Sequence, residues 1–145
     1  MPNIASKPSP RIVTQPSEAR RRIMRAIKSK DTLPELVVRR LVYSMGYRYR
    51  VHRKDLPGKP DLVFPRMRKA IFVHGCFWHC HDCGGAARVP EQNRAYWKEK
   101  LKKNKERDTA AVKALKALGW DVGVFWECEL RKQKATERKL RIFLA

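Results

Sequence analysis

The densest chemistry in the chain lies in one short stretch, His74-Gly75-Cys76-Phe77-Trp78-His79-Cys80-His81-Asp82-Cys83, which holds three of the four histidines and three of the four cysteines. Thiolate sulfur and imidazole nitrogen are the preferred donors of tetrahedral zinc. A close group of such ligands plus one distant cysteine, here Cys128, would tie a loop to a sheet. Spacing leaves two sets open: Cys76, Cys80, Cys83 and Cys128, or the same set with His81 in place of Cys80. The competing readings are a reduced, metal-free loop and a redox pair at Cys80 and Cys83. The redox pair lacks the strand-then-helix setting that lowers a thiol pKa. A zinc deaminase is excluded, since neither His-x-Glu nor Pro-Cys-x-x-Cys occurs. A closed four-ligand site is structural, so any catalysis belongs elsewhere.

The acidic residues supply the candidates. Asp61, in Pro60-Asp61 at the start of a predicted hairpin, is the first candidate for a hard-metal ligand, because Mg²⁺ at phosphodiester sites takes one or two carboxylates together with water and phosphate. Its plain alternative is a turn-capping aspartate. Glu35 is explained by a capping box that starts at Thr32. His74 and His79 are not needed to complete four zinc ligands, and either could act as general acid or base near neutrality. Otherwise His74 is a core histidine and His79 a spare ligand. Phe77 and Trp78 sit between metal ligands, an awkward place to bury two rings, and aromatic wedges entering base stacks are a known way to hold distorted DNA. Trp97 falls on an apolar helical face and reads as core.

Several elements must position these groups. Residues 1 to 17, with Pro2, Pro8, Pro10 and Pro16 among small polar residues, are predicted to form a flexible arm, and residues 18 to 145 a single domain. Ser17 caps a predicted basic helix whose Ile23, Met24, Ala26 and Ile27 share one face, leaving Arg20, Arg21, Arg22 and Arg25 outward. A second helix runs from Thr32 to Gly46 with Leu33, Leu36, Val37, Leu41 and Val42 as its stripe. Tyr47, Tyr49 and Val51 alternate as in a strand. Leu62 to Phe64 and Lys69 to His74 make a hairpin across Pro65. A helix from about Glu91 to Leu118 carries Trp97, Leu101, Ala111, Leu115 and Leu118, and Trp120 to Trp126 forms a last strand. Glu129 to Leu144 closes the chain as a basic helix. The fold class is α/β, a mixed sheet covered by helices.

Across 145 residues, 34 Lys and Arg oppose 14 Asp and Glu, for a net charge of +20. So large a positive field draws in polyanions. No apolar run reaches membrane-spanning length and no signal-peptide pattern begins the chain, so a soluble, intracellular protein with no membrane contact is expected.

Motifs through most of the chain resemble the very short patch repair (Vsr) endonuclease family: Met24-Arg25-Ala26-Ile27, Lys30-Asp31-Thr32-Leu33-Pro34-Glu35, Pro57-Gly58-Lys59-Pro60-Asp61, Phe72-Val73-His74-Gly75-Cys76-Phe77-Trp78-His79, Tyr96-Trp97, Asn104-Lys105-Glu106-Arg107-Asp108, Gly119-Trp120 and Trp126-Glu127-Cys128. The resemblance implies a restriction-endonuclease-like fold and an enzyme that nicks one strand of duplex DNA 5′ to the T of a T:G mismatch, the product of 5-methylcytosine deamination. It implies Mg²⁺ on the Asp61 carboxylate and the Val73 backbone carbonyl, since Phe72-Val73-His74 stands where restriction-type sites carry Glu-x-Lys. His79 becomes general acid or base, with His74 and Asp108 paired near the phosphate and Glu35 supporting from its helix. Structural Zn²⁺ falls to Cys76, His81, Cys83 and Cys128, with Cys80 the rival of His81. Phe77, Trp78 and Trp97 become the wedge, which revises the core reading of Trp97, and Arg25, Lys28 and Asn104 become further DNA contacts. Expected partners are T:G-containing double-stranded DNA and the general mismatch repair proteins, for a monomer in the bacterial cytoplasm at the nucleoid. The rival function is a non-catalytic zinc-dependent DNA-binding module, which needs the cysteines and the basic surface but neither Asp61 nor His79.

Overall fold

Ala70-Ile71-Phe72-Val73 is a continuous apolar run, the pattern of a strand buried on both faces, and it becomes the middle of the sheet. The computed structural model describes residues 31 to 79, 81, 83 and 89 to 145. The predicted arm, the basic helix with Arg25 and Lys28, and Cys80 lie outside them. The described elements are α1 (Leu33–Ser44), β1 (Leu62–Phe64), β2 (Lys69–His74), α2 (Arg94–Ala117), β3 (Asp121–Trp126), a 3₁₀ turn (Glu129–Arg131) and α3 (Gln133–Leu144).

β1 and β2 form the predicted antiparallel hairpin, with Leu62 opposite Ile71 and Phe64 opposite Lys69. β2 and β3 run parallel, with Lys69 opposite Asp121 and His74 opposite Trp126. A parallel partner requires a crossover, and α2 supplies it. The sheet is thus mixed, in the order β1-β2-β3. On one face Ile71, Val73, Leu62, Phe64 and Phe125 pack against Val38 and Val42 of α1 and Leu140 and Leu144 of α3. Strand alternation turns Phe72 and His74 to the opposite face, toward α2. No helix among the described residues is long and apolar enough to cross a membrane.

Three sequence expectations shift. The run from Tyr47 to Val51 is not a strand: only Arg50 pairs, through Arg50 N–H to Val63 O at 2.8 Å and Val63 N–H to Arg50 O at 2.9 Å. β1 is only three residues long, and His52 (φ 57°) ends the extended run, while Tyr47 and Tyr49 still use their alternation to pack on the core. In α1 the buried face is Glu35, Val38 and Val42, and Leu33 is 72% exposed, so the stripe is rotated. The closing helix is divided at Lys132 (φ −103°, ψ 87°), and buried Thr136 donates toward the carbonyls of Glu129 and Lys132 across the break. Gly46 ends α1 as expected, with φ 89° and Tyr47 N–H bonded back to Val42 O.

Gly58 fixes the loop ahead of the hairpin. Its φ is 73°, and a Cβ there would overlap that of Ala111 on α2 and approach the Phe72 ring to 3.1 Å. Gly58→Ala combines left-handed strain with overpacking and is expected to cost roughly 2–4 kcal/mol. Urea denaturation checks this; a wild-type midpoint would show that the loop yields freely.

Candidate active site and metal cluster

Two carboxyls meet at the open end of the hairpin. Asp61 precedes β1, donates its N–H to Ile71 O at 2.9 Å, and accepts the Val73 N–H on Oδ2 at 2.6 Å. Burial lifts its carboxyl from 3.8 to about 7; the Val73 N–H opposes the shift, neighbouring Glu35 adds to it and Arg39 resists it. Glu35, 5% exposed, does not complete the expected capping box: Thr32 makes no side-chain cap bond. Its Oε2 instead accepts the Asp31 N–H at 3.0 Å and Arg39 Nη2 at 3.2 Å. That leaves the carboxylate inside, facing Asp61, with the helix entrance held as a by-product. The two acids share a cavity of about 290 Å³ with Arg39, His52, Lys54 and Lys59. Two carboxyls side by side in one cavity are hard oxygen donors, so the pair fits a divalent metal of the Mg²⁺ kind.

On the other face of β2, His74 is buried and stacks on His79, ring centroids 3.8 Å apart and planes 5° from parallel. His79 Nδ1 is bonded to the Asp108 carboxylate from α2. Asp108 thus bonds His79 directly and still lies with His74 in one group whose ring nitrogens and carboxylate are within 4.8 Å of one another, because the turn after β2, closed by His79 N–H to Gly75 O at 3.2 Å, brings His79 beside both. Burial drives His74 down to about 4, with His79 adding to the effect and Asp108 opposing it, so His74 is neutral at working pH. An aspartate on Nδ1 fixes the tautomer that leaves Nε2 with its lone pair, the arrangement of an oriented general base. Asp108→Asn is expected to lower kcat roughly 10²–10⁴-fold with little change in KM. In a His79→Ala background the same change should cost nothing more; an additive loss would show that Asp108 acts apart from His79.

Beyond the turn, one ligand atom from each of Cys76, His81, Cys83 and Cys128 lies within 4.8 Å of the others. Cys128 Sγ is 3.4 Å from His81 Nδ1, and the His81 ring stacks on Trp126 at 4.0 Å. Burial raises the Cys76 thiol to about 11. Three sulfurs and an imidazole are soft donors, unlike the oxygens at Asp61, and can hold a metal of the zinc type. Cys128 stands two residues past the end of β3, so a metal on the cluster would staple the loop after β2 to the end of its parallel neighbour.

The rings of Phe77, Trp78 and Trp97 also converge, with centroids 5.1 to 5.9 Å apart. Asn104 Nδ2 donates to Trp78 O at 3.2 Å. Sequence reasoning passed over Lys100, whose ammonium lies 5.6 Å from the Trp78 and Trp97 centroids and 6.0 Å from that of Tyr96. The signal was helical spacing: Lys100 stands three and four residues after Trp97 and Tyr96, on the same face.

Comparison with known proteins gives this geometry its context. The family described as DNA mismatch endonuclease Vsr matches residues 13–85. The chain is 50% identical over 127 residues to the type II nicking enzyme V.XorIIP of Xanthomonas oryzae, covering 88% of this chain and 93% of that one. It is 43% identical over 118 residues to the DNA mismatch endonuclease Vsr of Escherichia coli, 81% and 75% of the two chains. With the type II nicking enzyme V.NmeAIP of Neisseria meningitidis it shares 40% over 118 residues, 81% and 84%. The protein is an endonuclease. It belongs to the DNA mismatch endonuclease Vsr family.

Proposed function

We propose that this endonuclease is Mg²⁺-dependent and nicks one strand of duplex DNA 5′ to the T of a T:G mismatch, the lesion left by 5-methylcytosine deamination, in very short patch repair. The observation that carries the reading is the C-terminal end of β2. Val73 there holds the Asp61 carboxyl through its N–H, and the next residue, His74, stacks on the His79–Asp108 pair. Two adjacent backbone positions thereby tie a cation-seeking carboxyl to an oriented imidazole.

In this reading Asp61 and the Val73 carbonyl hold the magnesium ion, with Glu35 supporting them. When bound, the metal polarises the phosphate and stabilises charge on the leaving oxygen. His79 Nε2 accepts a proton from the attacking water, Asp108 keeps the ring turned to do so, and neutral His74 packs it from behind without adding a competing charge. Phe77 and Trp78 supply the wedge that opens the stack at the mismatch, backed by the buried Trp97 ring, with Asn104 bracing Trp78. Arg25 and Lys28 contribute phosphate contacts. Zn²⁺ on Cys76, His81, Cys83 and Cys128 fixes the loop that carries the wedge and His79. The mixed sheet with its acid at the hairpin supports a restriction-endonuclease-like core, and we assign the enzyme to the cytoplasm at the nucleoid as a monomer working beside general mismatch repair proteins. A DNA-binding module without catalysis would have no use for the buried Asp61–Glu35 pair.

The test is a strand-resolved assay on a T:G duplex and its T:A control. A single nick in the T strand is expected with Mg²⁺, and none in EDTA or on the control. Equal cutting of both duplexes would overturn the mismatch assignment.

A further inference from the structure

The cavity at Asp61 holds more positive charge than its carboxyls use. Arg39 is spent on Asp31 at 2.7 Å and Glu35 at 3.2 Å. His52 lies 3.3 Å from Asp31. Arg53, next in the chain, is bound by both oxygens of Asp55 at 2.6 Å. Lys54 and Lys59 remain, and neither forms an ion pair among the described residues.

Ammonium groups lining a cavity beside two acids without pairing with them are placed for a third, anionic party. Flexibility does not explain the arrangement at Lys59. Its backbone sits at φ 51° between Gly58, wedged on Ala111 and Phe72, and buried Pro60. The backbone that carries Lys59 is therefore anchored on both sides, while the Lys54 and Lys59 side chains themselves are exposed and free to reach an anion at the cavity mouth.

We propose that Lys54 and Lys59 form a phosphate clamp: they hold a phosphate of the cleaved strand adjacent to the scissile one, and so seat the strand against Asp61. The inference rests on the functional reading above. Lys54 and Lys59 are positioning residues; they place the substrate and take no part in bond breaking.

Each lysine that neutralises a phosphate adds about 0.9 to the slope of log affinity against log salt. Lys54→Gln and Lys59→Gln are each expected to lower that slope by about 0.9, measured by fluorescence anisotropy in EDTA. Lys59→Arg should keep it, and an unchanged slope in both glutamine variants would overturn the clamp.

The adjacent phosphates are then neutralised singly as methylphosphonates, one on the 5′ side and one on the 3′ side of the scissile position. At one of them, wild-type kcat/KM should fall about tenfold while the Lys54→Gln/Lys59→Gln double variant loses nothing further. Full additivity at both positions would overturn the proposal. If wild-type protein fails to nick a T:G duplex at all, the functional reading fails, and the salt slopes still decide whether the lysines grip phosphate.

Discussion

Asp61→Asn is expected to cut the rate of nicking roughly 10³-fold while leaving the fold intact and, at alkaline pH, more stable than wild type. The rate follows from metal-assisted stabilisation of phosphoryl charge, worth several kcal/mol where each 1.36 kcal/mol is tenfold. The stability follows from burial. Folding raises the carboxyl from 3.8 to about 7, so between those values the folded chain binds more protons than the unfolded one. The stability that the protonated carboxyl contributes is fully present below about pH 4 and is lost as pH rises to about 7. At 1.36 kcal/mol per pH unit the loss is at most roughly 4 kcal/mol. Asparagine keeps an oxygen for the Val73 N–H and carries no charge. Without divalent metal, the variant's melting temperature should exceed wild type at pH 8 and match it near pH 4. Mg²⁺ should narrow the gap, since metal and proton compete for one carboxylate. At limiting Mg²⁺, wild-type activity should fall about tenfold per pH unit below pH 7. Equal melting temperatures at pH 8 would sink the buried-carboxyl argument, and substantial nicking by the variant would sink the metal assignment.

Regular segments were legible because their signals are local. The two β-rich runs about Pro65 form the hairpin, Gly46 and Gly119 both fall just past helices, and the helical pattern ahead of Gly119 becomes the crossover helix. What the pattern missed depends on partners distant in sequence. The face of α1 was misread because Glu35 is one of its buried residues, and a buried acid is invisible to hydrophobic periodicity. Its reason lies at Asp61 and Arg39. Leu118 was counted as an anchor of α2 and is 54% exposed, while Trp97, Leu101 and Leu115 are buried. Alternation at Tyr47 to Val51 signalled half-burial of the tyrosines but could not reveal that β1 offers too short an edge for a ladder.

The candidate site was legible as a set of residues and less so as a set of pairs. Residue types pointed to the cysteines, to Asp61 and to His74 and His79, and the motif resemblance added Asp108, Val73 and Trp97. Which histidine meets Asp108 is decided by the turn from Gly75 to His79, a few backbone torsions without a signature in residue type. Cys80, the rival of His81 as a zinc ligand, lies outside the described residues. His81 N–H bonds Cys76 O at 2.9 Å and its ring is braced on Trp126, and these two contacts orient its Nδ1 toward Cys128.

That geometry carries the second large effect. Cys128→Ser is expected to lose the bound metal, lower the melting temperature by about 10 °C and reduce nicking, although Cys128 lies outside the Asp61 and His79 sites. Serine is a poor zinc ligand, and a structural zinc site contributes folding free energy directly. For a chain of this size a loss of a few kcal/mol corresponds to about 10 °C. Activity follows because Cys76 and His79 share one turn, so a freed cluster also frees the imidazole that Asp108 must meet. Chelation of the wild-type protein should produce the same fall, together with altered tryptophan emission from Trp126, against which His81 stacks. Elemental analysis should find one zinc per chain in wild type, in Asp61→Asn and in Cys80→Ser, and none in His81→Ala. Retention of stoichiometric zinc and a wild-type melting temperature by Cys128→Ser would break the staple between the loop and β3. Loss of zinc in Asp61→Asn would show that the hard and soft donor sets are not separate sites.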